Sequence, residues 1–157
     1  MLIVDNLRDP GNLGTILRTA AAGGVQAVML TPGTTDPFAP KVVRAGMGAH
    51  FRLPILFKNW MDIRKMAFNP DSQPIPLYLA EAGAGPAPWE LDLRSPVGFV
   101  LGGEAEGAGQ ESRAVVTGPV SIPMPGKFES LNAAVAAGIL VFEVVRQREE
   151  KSDEVRE

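Results

Sequence analysis

The chain has 157 residues, a 45% hydrophobic fraction, one histidine, no cysteine and a net charge of −3. That length suits one domain with a sizeable core. The absence of cysteine excludes disulfides and thiolate chemistry and fits a reducing cytoplasm. A histidine-based triad or metal site would have only His50 to build on, and the acidic balance gives no global pull toward nucleic acid. No run of 18 apolar residues suggests a transmembrane helix, and Asp5 follows Met1–Val4 too soon for a signal peptide.

In chain order, Leu2-Ile3-Val4 reads as a buried strand ending at Asp5-Asn6. Arg8 to Asn12 reads as a turn. Leu13, Ile16, Leu17 and Ala20 then recur at helical spacing up to Ala22, and Gly23-Gly24 closes that helix. Val25 to Leu30 is a second strand, and a helix is predicted from Pro40 to about Met47. A strand near Leu53–Leu56, a helix from Trp60 to Phe68 and a strand from Leu77 to Ala80 follow. Glu81 to Pro88 is a loop rich in Gly, Pro and Ala. Val97 to Leu101 is an apolar strand, and another lies within Ala114–Ile122, broken by Gly118-Pro119. A long helix from about Glu129 to Glu149 leads to a charged, frayed tail. Strands alternating with helices define an α/β domain with a mostly parallel sheet.

Three segments at strand ends carry the chemistry. The first runs from Asn6 to Ala20 and includes Asp9-Pro10-Gly11-Asn12-Leu13-Gly14 and Arg18. Gly11 and Gly14 allow a tight turn into a helix whose N-terminus favours anions. Arg18, one turn beyond Gly14, suits a bidentate grip on a phosphate or carboxylate. The same residues also fit a capped helix with a solvated arginine. The second segment, Phe99 to Gly109, runs an apolar strand into Leu101-Gly102-Gly103-Glu104, which gives a ligand close backbone access beside one carboxylate. It equally fits a glycine-rich turn, and lacks the Lys-Ser/Thr of a P-loop. The third, Ile122-Pro123-Met124-Pro125-Gly126 to Ser130-Leu131-Asn132, is a strand end feeding the long helix; Ser130 and Asn132 also suit plain helix capping. A fourth stretch, Glu81-Ala82-Gly83-Ala84-Gly85, has the order of an acidic, glycine-rich Rossmann methyltransferase loop, but Pro86 and Pro88 oppose a helix start there.

Taken together, the three segments resemble the three motifs of the SpoU/TrmH family of RNA ribose 2′-O-methyltransferases, in the SPOUT superfamily. Arg44-Ala45-Gly46-Met47-Gly48-Ala49 is similar to an intermediate family segment, and the likeness runs from Leu2 to about Arg148. The resemblance implies an α/β domain whose C-terminal part forms a deep trefoil knot, although chain-topology rules argue against knots. It implies S-adenosylmethionine as cofactor, held by Leu101, Gly102, Gly103, Ile122, Met124, Ser130 and Leu131. It also implies a homodimer with the last helix in its interface, where Ala133, Ala134, Ala136 and Ala137 permit close packing or serve as good helix formers.

For catalysis the resemblance implies Arg18, with Asn12, Glu104, Ser130 and Asn132 shaping the site. No metal is required, since the sulfonium makes its own methyl group electrophilic. A neutral guanidinium at pH 7 is costly, so Arg18 is expected to orient a phosphate and stabilise the developing alkoxide instead of acting as a base. Arg8, Lys41, Arg44 and Arg52 are candidates for an RNA-facing basic patch or ordinary surface charge. Ribosomal RNA is favoured over transfer RNA as the substrate. The expected organisation is a catalytic domain over 1–148 and a charged tail over 149–157. The N-terminal RNA-binding domain of many relatives is expected to be absent, the chain being either a minimal enzyme or a catalytic fragment of a longer one. Two other readings are a non-catalytic knotted RNA-binding module and a Rossmann-type methyltransferase built on Glu81–Gly85.

Overall fold

The computed structural model describes residues 1–103 and 109–154. Six strands form one sheet in which every pairing is parallel: β1 (Leu2–Asp5), β2 (Val28–Leu30), β3 (Ile55–Phe57), β4 (Leu77–Ala80), β5 (Gly98–Gly102) and β6 (Gly118–Val120). Their spatial order is β3-β2-β1-β5-β4-β6. The chain builds outward from β1 to β3, crosses to β4, and only then inserts β5 between β1 and β4. Helices α1 (Pro10–Ala22), α2 (Pro40–Gly46), α3 (Trp60–Ala67), α4 (Gln110–Val115) and α5 (Ala133–Glu154) complete the domain.

A parallel sheet is covered on both faces, so its central strands are apolar throughout. Successive residues of β1 point to opposite faces. Leu2 and Val4 enter a core shared with Leu13, Ile16 and Leu17 of α1 and Ala137, Leu140 and Val141 of α5. Ile3 enters a second core with Trp60 and Ile63 of α3. At the end of β1 the buried Asp5 carboxylate accepts from Thr31 Oγ1 at 2.6 Å and Trp60 Nε1 at 3.2 Å, tying the exit of β2 and the start of α3 to one strand end.

Several boundaries differ from the sequence expectation, each for a local reason. Helix α1 starts at Pro10 instead of Leu13. The Asp9 side chain accepts from Asn12 N at 2.6 Å, and Pro10 occupies a first-turn position that needs no N–H. Gly11 and Gly14 therefore lie inside the helix, not in a turn. Gly14 matters for packing: a Cβ there would stand 2.5 Å from Ala45 Cβ and 2.7 Å from the Val42 carbonyl oxygen. Within 114–122 the predicted strand shrinks to Gly118–Val120, because residues 110–115 coil into α4. Pro119 is tolerated there since β6 is an edge strand paired only with β4. Helix α5 begins at Ala133, not Glu129, and continues through Glu154. Among the described residues, no helix is long and apolar enough to cross a membrane.

The connection from β4 to β5 holds both ends of the C-terminal segment. Where β6 ends, Gly83 N donates to Ser121 Oγ and Ser121 N to the Pro86 carbonyl, both at 2.9 Å. Further along the same connection, Leu93 N donates to Gln147 Oε1 of α5 at 2.9 Å, and Arg148 Nε to the Leu93 carbonyl at 3.3 Å.

Candidate active site

In open α/β sheets ligands bind beyond the carboxyl ends of strands, where the strand order reverses. Here that place lies where β5 sits between β1 and β4. A groove of about 410 Å³ opens beyond the ends of β4 and β5. Leu79, Leu101, Gly102 and Gly103 form its floor, and Ser130, Leu131 and Asn132 one wall. Its size falls within the ~300–1,000 Å³ of small-molecule sites. Gly103 is required by proximity, because a Cβ there would run into the Asn6 carbonyl oxygen.

Of the sequence-predicted cofactor residues, Leu101, Gly102, Gly103, Ser130 and Leu131 line this groove. Leu131 keeps 37% of its surface exposed, an unusual state for a leucine at the mouth of a core. Ile122 and Met124 are half-buried and are not among the groove's lining residues; Ile122 packs against the larger core.

The first and third segments meet directly. Asn132 Nδ2 donates to Asn12 Oδ1 at 2.9 Å across 120 positions of sequence. The Asn132 Oδ1 accepts from Ala134 N at 2.9 Å and Val135 N at 3.3 Å, capping α5. One side chain thus does both jobs that the sequence left as alternatives. Asn132→Ala should cost about 1 kcal/mol in urea unfolding from the lost cap, while Asn132→Asp, which keeps the cap acceptor, should recover most of it.

Arg18 is exposed and makes no hydrogen bond or ion pair among the described residues. It lies six residues past Asn12, so at ~100° per residue it projects roughly 120° away from it around α1. Asn12 is therefore turned toward α5 and Arg18 toward solvent. Glu104 lies outside the described residues. Arg8, Lys41, Arg44 and Arg52 are all exposed; Lys41 reaches across the first turn of α1, its Cε 4.0 Å from where a Gly11 Cβ would stand.

Sequence reasoning missed one feature of the groove. Glu81 and Arg113 both line it and form a two-pronged ion pair at 2.5 and 3.0 Å. The Arg113 hydrogen bonds hold the Glu81 carboxyl below its ordinary value of 4.5. With its pKa depressed, the pair is intact above that ordinary value and is lost only as pH falls through the lowered one. No sequence signal joins positions 32 apart on different elements. The Glu81–Gly85 stretch that resembled a nucleotide loop opens no helix: it turns through Gly83 and Gly85, both at positive φ, to a short 3-10 turn at Pro88–Glu90. It therefore lacks the helix N-terminus that a Rossmann phosphate site requires.

A parallel α/β sheet with an apolar, glycine-floored groove at its reversal point, walled by the entry to the last helix, defines a nucleotide- or cofactor-binding class of protein. Residues 1–142 match the model of the SpoU rRNA Methylase family, and the chain belongs to that family. It is 40% identical over 148 residues to the 23S rRNA (guanosine-2′-O-)-methyltransferase RlmB of Xanthomonas axonopodis pv. citri, an alignment that spans 94% of this chain and 59% of that protein. It is 34% identical to human mitochondrial rRNA methyltransferase 3, across 99% of this chain and 48% of the relative. Among solved structures it is similar to AviRb, a SpoU methyltransferase from Streptomyces viridochromogenes in complex with AdoMet. The TM-score is 0.87 at 32% identity, covering 94% of this chain and 57% of that one. The chain thus spans about half to three-fifths of the length of these relatives.

Proposed function

We propose that the chain is an S-adenosylmethionine-dependent methyltransferase acting on a ribose 2′-hydroxyl of RNA, with ribosomal RNA in the cytoplasm as its substrate. The observation that carries this reading is the Asn12–Asn132 hydrogen bond beside the Gly102–Leu131 groove. It joins the first and third motifs at one point. The names of the relatives support the reaction: RlmB is a guanosine-2′-O-methyltransferase of 23S rRNA, and AviRb was solved with AdoMet.

The groove fits such a cofactor chemically. Leu79, Leu101 and Leu131 offer an apolar slot, and the glycine floor leaves backbone N–H and C=O edges accessible. Those backbone groups, with Ser130, would hold S-adenosylmethionine, which when bound supplies an electrophilic methyl group. Arg18 grips the RNA phosphate next to the target ribose and stabilises the developing alkoxide. Asn12 and Asn132 position the ribose, and Glu104 belongs to the same site.

Two further features complete the reading. The last helix exposes Val135, Ile139 and Phe142, and Leu131 just before it; we assign this uncharged face to a homodimer interface. Arg18, turned away from its own groove, then serves the partner's. The clasp of residues 83–93 around both Ser121 and Gln147 supports a C-terminal trefoil knot, with α5 emerging through that loop.

Calorimetric titration with S-adenosylmethionine tests the cofactor assignment. Leu131→Arg should abolish binding, by placing a charge in the groove, whereas Gly83→Val should disturb it much less. The reverse pattern would move the cofactor to the Glu81–Gly85 loop and overturn the reading.

A further inference from the structure

Residues 37–61 contain four cations, Lys41, Arg44, Arg52 and Lys58, and no carboxylate, in a chain of net charge −3. The same stretch exposes large apolar side chains to an unusual degree: Phe51 is 92% exposed, Met47 71% and Phe38 59%. Lone exposed apolar residues need no explanation, but aromatics interleaved with cations do.

The backbone arranges them in order. Lys41 and Arg44 form a ridge at i and i+3 of α2, with Met47 as the C-cap just beyond it; Val42, Ala45 and Gly46 meet Gly14 of α1, and Lys41 reaches toward Gly11. Met47 then takes a left-handed conformation at φ 49°, and Gly48 another at φ 86°. This double turn throws residues 49–51 into a short 3-10 segment and leaves Phe51 projecting at the end of the ridge. His50 anchors the platform from below. Its Nε2 donates to the Pro37 carbonyl at 2.7 Å, its ring packs 5.7 Å from Phe38, and Ala49 beside it is buried. These contacts fix His50 and Phe38, and the Phe51 backbone N–H donates to the Gly48 carbonyl at 3.2 Å.

We propose that this ridge is a single-strand platform: Phe51, flanked by Met47, stacks an unpaired base adjacent to the methylated nucleotide, while Lys41, Arg44 and Arg52 follow its phosphates. The inference rests on the reading of RNA as substrate and goes beyond it by naming where and how a neighbouring nucleotide is held. Its occupant follows from charge. A second copy of this chain would bring like cations face to face across a two-fold contact, whereas the uncharged face of α5 suits self-association. A nucleic acid satisfies both features, because phosphates meet the cations and every base offers a π-face to a phenyl ring. The ridge is also continuous with the site. Lys41 lies over Gly11, next to Asn12, so a strand leaving the site passes Lys41 on its way to Phe51.

The test uses the whole chain and a short fluorescein-labelled single-stranded oligoribonucleotide, with the matching duplex as comparison, read by anisotropy over a salt series. Phe51→Ala should weaken single-strand binding roughly tenfold with an unchanged salt slope, and Phe51→Tyr should retain affinity. Arg44→Ala should lower the salt slope by about one. Phe51→Leu separates stacking from plain apolar contact: if leucine binds as well as tyrosine, or alanine as well as wild type, the platform is wrong. A shift of Phe51→Ala in sedimentation, with RNA binding unmoved, would make this face a protein contact instead. Wild-type chain that binds S-adenosylmethionine but no RNA would sink the RNA reading itself, which is distinct from failure of Phe51 alone. Phe51 is almost fully exposed, so the variants keep the wild-type circular dichroism.

Discussion

Arg18→Ala is expected to leave S-adenosylmethionine affinity within about twofold of wild type and to lower the methyl-transfer rate by roughly a hundred- to a thousandfold, as for loss of one preorganised donor to a developing anion. The guanidinium has no structural duty to lose: it is exposed and unpaired among the described residues. The unfolding midpoint should therefore stay put, and a large fall in rate then reports chemistry alone. Arg18→Lys should recover little, because a point charge cannot reproduce a planar two-pronged grip. Orientation sharpens the test. Asn12 bonds Asn132, which lines the groove of its own protomer, and Arg18 projects well away from that contact. If Arg18 serves the groove of a second protomer, a mixture of Arg18→Ala and Leu131→Arg chains forms heterodimers with one intact composite site. Activity should then reappear on mixing two inactive proteins. No recovery after subunit exchange, shown by sedimentation of tagged chains, would assign Arg18 to its own groove.

Gly14→Val is expected to produce the largest loss of stability, about 3 kcal/mol, or roughly 6–12 °C in Tm for a domain of this size. The reason lies in what a side chain would meet. The nearest atoms are Ala45 Cβ at 2.5 Å, the Val42 carbonyl at 2.7 Å and Gly46 N at 3.1 Å, two of them backbone. Backbone atoms cannot swing aside as a lysine tip can, so α2 must shift as a body. That shift carries Lys41 and Arg44 with it, so RNA affinity should fall along with stability. Gly118→Ala, where nothing lies within 4 Å, is the matched control and should be nearly neutral. A Gly14→Val protein with wild-type Tm would show that the α1–α2 contact is looser than its geometry implies.

Much of the site was legible in the sequence, but in pieces. Gly14 and Arg18 could be placed on one helix by spacing, although its start at Pro10 went unread because Arg8 to Asn12 looked like a turn. The apolar run from Phe99 to Leu101 ending in two glycines placed Gly102 at a strand end correctly. Helix α4 was missed, because Ala114 to Ile122 is short and apolar enough to read as a strand, and six residues of helix carry too little periodicity to oppose it. The α5 start was misplaced by four residues, since Glu129 and Ser130 look as much like a first turn as Asn132 does. The Glu81–Arg113 pair left no trace, as pairing across 32 residues leaves no local pattern.

What the sequence determined by itself is most of the elements, α4 excepted, and the identity of the chemical groups. Periodicity, capping and glycine placement are encoded within a few residues, and those local preferences survive folding. Which groups meet was decided only by the tertiary structure. Insertion of β5 between β1 and β4 requires Gly98 to clear Leu77, and Gly103 to clear the Asn6 carbonyl, contacts between segments far apart in the chain. That insertion brings the ends of β4 and β5 together into a groove, and the packing of α5 on α1 sets Asn132 against Asn12. It also turns Arg18 outward, because α1 spends its inner face on the sheet and its flanks on α2 and α5, leaving only the solvent side for a charge.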